Sequence, residues 1–120
     1  MNRPIFKTIS IDIYNTDVLF TAHTTVPEII AHLNSTLKYR LDPEEVDDLK
    51  LDTEEGKTTL LKGNQVVLWV NELRHDLIAH EAFHAVEFIL DNVGVKHDIE
   101  TSSEAYAYLL GFLIQAINDR

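Results

Sequence analysis

The segment that most constrains the fold is residues 73–93, which is apolar around most of a helical circumference and is followed by Gly94 as a C-terminal cap. A helix of this kind is expected to be buried. Four of its polar side chains share one narrow stripe, about 60° wide on a helical wheel: His80, His84, Glu87 and Asp91. Burying polar groups is costly unless they are paired or bound to a metal. The segment therefore predicts a buried helix whose polar stripe carries the chemistry of the protein.

Residues 80–84 read His-Glu-Ala-Phe-His and match H-E-x-x-H, the pattern of zinc-dependent hydrolysis. His80 and His84 are one turn apart, so both rings project from the same face and can share one zinc ion. Glu81 lies about 100° around the helix, close to such a metal without having to ligate it. It is therefore the predicted general base, which takes a proton from a zinc-bound water and passes it to the leaving amine.

Catalytic zinc needs a third protein ligand and an open fourth position for water. The preferred candidate is Glu104, which lies twenty residues after His84 at the start of the next predicted helix. A short connection allows the two helices to run antiparallel, which would bring Glu104 back to the histidines. Two alternatives stay open: Glu104 forms a capping box with Thr101 instead, or His97 is the third ligand, because imidazole binds zinc equally well.

Tyr108 follows Glu104 by one helical turn and is predicted to share its face. From there its hydroxyl could donate a hydrogen bond to the oxyanion that develops during hydrolysis. The competing interpretation is a tyrosine packed between two helices. Tyr106 faces the opposite way and is interpreted as structural.

The rest of the chain predicts one α+β domain, residues 1–120, with a small antiparallel sheet packed against helices. The predicted strands are residues 5–14, 18–23, 58–62 and 65–70, and the predicted helices are 27–39, a short one after Asp42-Pro43, 73–93 and 102–118. Gly63-Asn64 predicts a hairpin turn. If residues 65–71 form an edge strand, they could hold an extended peptide by strand addition. Trp69 would then line a pocket, although a place in the core is the preferred interpretation.

Charge and composition limit the partners. The net charge is −10, and eight acidic residues fall within residues 41–60, so binding to nucleic acid is not expected. The acidic stretch favours a solvated face over a site for a basic partner. The sequence has no cysteine, no apolar run that spans a bilayer and no apolar leader, which predicts a cytoplasmic protein that does not bind a membrane. The expected partner, a peptide or protein substrate, follows from the H-E-x-x-H motif instead.

The motif His80-Glu81-x-x-His84 followed by Glu104-Ala105-Tyr106-Ala107 resembles the gluzincin metallopeptidases, and the small minigluzincins are similar in size. Short H-E-x-x-H proteins of bacteriophages also look similar over the C-terminal half. The resemblance covers about residues 65–115. It implies a Zn²⁺ ion held by His80, His84 and Glu104, with Glu81 as general base in peptide-bond hydrolysis.

The chain also differs from the larger gluzincins, in which a C-terminal helical subdomain completes the substrate cleft, because only sixteen residues follow Glu104. A latent or inactive relative is therefore one alternative. Another is a non-enzymatic acidic interaction module whose metal site is structural or lost. A di-iron site is disfavoured, because it requires a second Glu-x-x-His motif.

Overall fold

The computed structural model describes residues 3–37, 40–50, 55–95 and 103–119. These residues form an α+β fold in which a four-stranded sheet packs against helices, as predicted. The elements are β1 (Ile5–Ile11), a 3-10 turn (Asp12–Tyr14), β2 (Thr16–Ala22), α1 (Val26–Thr36), α2 (Pro43–Asp48), β3 (Gly56–Leu61), β4 (Gln65–Val70), α3 (His75–Asn92) and α4 (Ser103–Asn118).

The sheet has the strand order β1-β2-β4-β3 and is mixed. Strands β1 and β2 pair antiparallel, as do β3 and β4, whereas β2 and β4 pair parallel. The prediction of an antiparallel sheet is therefore wrong for the central pair. The reason is the crossover: α1 and α2 carry the chain over one face of the sheet, and the β3–β4 hairpin then inserts β4 beside β2.

The two hairpin turns follow from residues that tolerate a positive φ. Gly63 and Asn64 have φ values of 71° and 58° between β3 and β4, which confirms the predicted hairpin. Between β1 and β2, Asn15 has a φ of 49°, and its N–H donates to the carbonyl of Asp12 over 3.1 Å. The strand predicted for residues 5–14 ends earlier, because β2 begins at Thr16 and leaves residues 12–14 to close the turn.

Helix α1 begins one residue before its predicted start, and α2 begins after its predicted cap, Asp42. Thr25 caps α1, and its side chain accepts the N–H of Glu28 while the Glu28 carboxylate accepts the N–H of Thr25. Asp42 caps α2 in the same way with Glu45, and a proline follows at the first helical position. Each capping box satisfies two backbone donors that a helix start leaves unpaired.

Helices cover both faces of the sheet. One core lies between the sheet and the pair α3 and α4, and its strand residues include Phe20, Leu68 and Val70. The other core lies under α1 and α2 and includes Leu19, Val67 and Trp69. No helix of the described residues combines the length and the apolar character that crossing a bilayer requires.

Helix α4 runs in the opposite direction to β1, which it covers. The ammonium of Lys7, near the start of β1, donates to the carbonyl of Ala116 near the end of α4 over 2.7 Å. At the other end of β1, residues 10–14 lie beside Ala105, which belongs to the first turn of α4.

Helix α3 runs in the same direction as β3. Thr58, near the start of β3, contacts Glu81 in the first half of the helix, and Asn64 in the β3–β4 turn bonds Asn92 at the helix end. Because β1 and β3 run in the same direction within the sheet, α3 and α4 are antiparallel, as predicted.

Candidate metal and catalytic site

The polar stripe of α3 faces solvent. The side of the helix that faces the core carries its buried residues: Ile78, Glu81, Ala82, Ala85, Val86, Ile89 and Leu90. On the opposite side the side chain of His80 is 67% exposed, and those of His84 and Glu87 are each 42% exposed. The prediction of a buried stripe is wrong, because α3 lies in an outer layer and meets the sheet with one side only. The geometry of these side chains, and not the cost of burying them, is therefore what indicates a metal site.

His80 and His84 converge on one point. Their Nε2 atoms lie 3.2 Å apart, and their rings are nearly perpendicular at 80°. Two nitrogens bound tetrahedrally to zinc, each at about 2.0–2.1 Å, lie about 3.3 Å from each other. The same separation is compatible with a hydrogen bond between two neutral imidazoles. The pair therefore has the donor atoms and the spacing that zinc requires of two of its ligands.

Glu87 supports this arrangement from the next turn of α3. Its Oε1 lies 3.1 Å from Nδ1 of His84. With a carboxylate there, the neutral His84 ring carries its proton on Nδ1 and keeps a lone pair on Nε2, which is the form that binds a metal. A carboxylate on the far nitrogen of a zinc-binding histidine commonly fixes the orientation and the tautomer of the ring.

Glu81, the predicted general base, is held between the helix and the edge of the sheet. Its side chain is only 8% exposed. The Thr58 hydroxyl lies 2.8 Å from Oε1 of Glu81 and 3.0 Å from its carbonyl oxygen. The other carboxylate oxygen, Oε2, is 3.9 Å from Nε2 of His80. One oxygen is thus anchored by β3, while the other is close to the histidine pair.

Gly56 leaves the space that the Glu81 side chain occupies. A Cβ atom at this position would lie 2.9 Å from Cγ and 3.0 Å from Oε2 of Glu81. Sequence reasoning missed both Gly56 and Thr58, because no motif connects β3 with a helix residue twenty-three positions after Thr58. The predicted strand begins at residue 58 and so excludes Gly56, whose lack of a side chain is the only local sign of a close approach.

Glu104 is not brought to the histidines. Its side chain is exposed at the start of α4, and the start of α4 lies beside the end of α3, whereas His80 is near the beginning of α3. Within residues 3–37, 40–50, 55–95 and 103–119, no three histidine, aspartate or glutamate side chains form a group that could hold a metal ion. The alternatives that involve Thr101 and His97 lie outside the described residues.

Tyr106, two residues after Glu104, is buried and faces α3, in agreement with its structural interpretation. Burial raises the pKa of the Tyr106 hydroxyl, and the carboxylates of Glu87 and Asp91 raise it further. These two carboxylates lie on the stripe one and two turns beyond His84, which agrees with an α4 that begins near the end of α3.

Tyr108 lies in a groove away from the histidine pair. The groove, here called the α4 groove, is lined by residues 10–14 together with Ala105, Tyr108, Leu109 and Phe112. The sheet register aligns Thr58 with Lys7 and Leu61 with Ser10, so the groove is about 10 Å further along the strands than Glu81. It is also about 14 Å across the sheet, since three strand spacings separate β1 from β3. The structure therefore does not bring the Tyr108 hydroxyl to Glu81.

The edge strand beside the site is β3 and not β4. Strand β4 lies between β2 and β3, and all six of its residues are buried, so residues 65–71 cannot receive an added strand. Within the described sheet the two edge strands are β1 and β3, and β3 is the one that contacts Glu81. Trp69 is part of the core under α1, where its indole N–H donates to the carbonyl of Thr24 over 3.3 Å, which confirms the preferred interpretation.

Comparison with known proteins gives no match: no protein-family model, no curated protein and no solved structure matches this chain.

Proposed function

We propose that this protein is a zinc-dependent metallopeptidase. The observation that carries the proposal is the convergence of the His80 and His84 Nε2 atoms, 3.2 Å apart, beside the buried carboxylate of Glu81. Charged groups also meet in ion pairs that have no catalytic role. Here, however, two imidazole lone pairs and one anchored carboxylate occur at H-E-x-x-H spacing, and these groups are the components of metal-assisted hydrolysis.

The roles of the residues follow from their atoms. Zinc, when bound by Nε2 of His80 and His84, supplies a water of lowered pKa and polarises the scissile carbonyl. Glu81 accepts the proton of the attacking water at Oε2 and later donates it to the leaving amine. Thr58 donates to Oε1 and so keeps the carboxylate oriented toward the histidine pair. Glu87 holds the ring of His84 through Nδ1.

A peptide substrate would bind along β3. An extended segment added antiparallel or parallel to an edge strand gains main-chain hydrogen bonds without a requirement for particular side chains. Gly56 and Thr58, both on β3, contact Glu81, so a segment added to this strand would pass beside the carboxylate. Strand addition is thus proposed for β3, the edge strand beside Glu81, in place of residues 65–71, which lie inside the sheet.

The third zinc ligand remains a prediction. Glu104 is the first candidate by its resemblance to the gluzincin pattern, and His97 is the second. A non-enzymatic interaction module is the competing function, and the distance between the start of α4 and His80 is the observation that favours it.

The test is zinc analysis of the purified protein beside His84→Ala, Glu104→Ala and His97→Ala, combined with peptidase activity of Glu81→Gln. We expect about one zinc per chain in the wild type and loss of zinc in His84→Ala. Glu81→Gln should keep the zinc and lose hydrolysis of a mixed peptide library, because glutamine cannot accept the proton.

The remaining variants identify the third ligand. Loss of zinc in Glu104→Ala supports the three-ligand set, and loss in His97→Ala alone moves that role to His97. A wild type that binds no zinc after reconstitution contradicts the proposal and favours the interaction module. Retained hydrolysis in Glu81→Gln contradicts the mechanism. The proposal includes a cytoplasmic location, which cell fractionation would test.

A further inference from the structure

The α4 groove gathers the most exposed apolar side chains of the described residues. Ile13 is 84% exposed, Tyr108 75% and Phe112 51%, and all three line this groove. Exposed apolar residues that occur singly are ordinary, but a contiguous patch marks an interaction site. The 3-10 turn at residues 12–14 and the outer face of α4 therefore form a surface that is suited to binding.

The shape of the groove favours an elongated occupant. Its volume is about 680 Å³. Pockets for small molecules of this size enclose most of their ligand, whereas the walls here remain largely open to solvent. An open apolar groove between a helix and a turn is the form in which an amphipathic helix binds, with side chains one turn apart inserted as anchors.

Charge indicates the chemistry of the occupant. Residues 8–37, which contain the turn, have no lysine or arginine, and neither have residues 103–119, which contain α4. Asp12 lines the groove, and Glu104 is exposed one helical turn before Tyr108, which also lines the groove. The groove is thus apolar on its floor and acidic around it, in a chain of net charge −10. A partner with basic residues beside its apolar face would be attracted and oriented.

We propose that the α4 groove binds a basic amphipathic helix of another protein. Leucine-like anchors of the partner insert between Ile13 and Phe112, and its lysines or arginines lie against the acidic surroundings that include Asp12. A second copy of this chain is a poorer occupant, because two acidic surfaces would then face each other. The proposal does not depend on the metal site, since the groove and the histidine pair lie on different parts of the fold.

The test uses a labelled synthetic peptide of about five helical turns, with leucines on one face and lysines on the other. Binding to the full chain is measured by fluorescence anisotropy at about 0.15 M salt, where exposed charges are substantially screened. Two peptides of the same pattern serve as probes of specificity: one has glutamate in place of lysine, and one has serine in place of leucine.

We expect saturable binding of the leucine–lysine peptide only. Phe112→Ser should weaken it by about tenfold or more, because an anchor contact at the centre of an interface is lost. Asp12→Lys should weaken it by about threefold through charge repulsion. Phe88→Ser is the matched control, since Phe88 is a partly exposed phenylalanine on α3, and its effect should stay within about twofold. Circular dichroism verifies that each variant is folded.

Three outcomes overturn the proposal. One is the absence of saturable binding. Another is a loss of specificity: the serine–lysine peptide binds as tightly as the leucine–lysine peptide, or Phe88→Ser weakens binding as much as Phe112→Ser. Attraction would then be general and not located in the groove. The third is a dimer of the free chain in light scattering that Phe112→Ser converts to a monomer, which would assign the groove to a second copy.

Discussion

At the scale of single residues, the contact between Thr58 and Glu81 determines how the candidate general base is presented. A carboxylate on an exposed helix face would rotate among several rotamers, whereas a base must be held in a productive orientation. Here the hydroxyl of Thr58 anchors one oxygen, and the missing side chain of Gly56 leaves room for the rest of the group. Strand β3 therefore orients the Glu81 carboxylate, as Glu87 orients the ring of His84.

Replacing Thr58 tests this anchoring role, and the test rests on the proposed peptidase activity. Thr58→Val keeps the shape of the side chain and removes the hydroxyl. We expect kcat to fall by about tenfold with little change in KM or in zinc content, because Glu81 loses its orientation and the metal ligands are untouched. The free energy of unfolding, measured in urea, should fall by about 1–2 kcal/mol, because the carboxylate loses a hydrogen-bond donor.

Thr58→Ser is the control, because serine restores the donor. It should recover most of the wild-type kcat. A Thr58→Val enzyme with normal kcat, or a serine variant as impaired as the valine variant, would show that the hydroxyl does not position the base.

At the scale of elements, the short helix α2 depends on contacts outside itself. Six residues are too few for a helix that is stable in isolation. The buried carboxylate of Glu45 accepts the N–H of Asp42 over 3.1 Å at one oxygen and the N–H of Lys62 over 3.1 Å at the other. The Lys62 ammonium also bonds the Asp42 carboxylate and holds the pKa of that carboxyl below its ordinary value. These contacts tie α2 to the turn between β3 and β4.

Glu45→Ala should therefore lower the free energy of unfolding by about 2–3 kcal/mol, since two backbone donors lose a charged acceptor. Glu44→Ala is the matched control, because Glu44 is the neighbouring exposed acid, and its effect should be about 0.5 kcal/mol or less. Urea denaturation followed by circular dichroism measures both. Equal effects of the two substitutions would show that Glu45 is not the link between α2 and the hairpin.

At the scale of the whole molecule, the histidine pair is placed so that a bound metal would stabilise the native fold. His80 and His84 converge only when α3 is helical, so a ligand of the pair binds the folded chain in preference to the unfolded one. Helix α3 packs on β3, β4 and α4, which means that its unfolding disrupts the larger of the two cores.

Zinc at about one hundred times its dissociation constant should accordingly raise the unfolding free energy by about 2.7 kcal/mol. For a domain of this size the expected rise in Tm is about 8–14 °C. Differential scanning calorimetry with and without zinc measures the shift. His80→Ala should remove it, and His75→Ala should keep it, because His75 is an exposed histidine at the helix start without a partner at metal spacing. The same shift in both variants would contradict a site at the histidine pair.

Much of the local structure could be predicted from the sequence, because it depends on neighbouring residues. The cap at Asp42, the Gly63-Asn64 turn and the helix that carries His80 and His84 all arise from backbone preferences and short-range hydrogen bonds. The convergence of two histidines one turn apart belongs to the same class, since helical geometry alone brings them together.

Only the tertiary structure decided where these elements lie relative to one another. The parallel pairing of β4 with β2, the solvent exposure of the polar stripe and the separation of Glu104 from His80 depend on which faces pack together. The continuous apolar run of β4 is typical of a strand that is buried on both faces, yet its position between β2 and β3 is a long-range outcome. The contact of Thr58 with Glu81 is likewise created by packing β3 against α3, for which no local pattern exists. The sequence by itself determined the candidate ligand pair and the candidate base, because both belong to one helix, and the packing of the sheet determined what surrounds them.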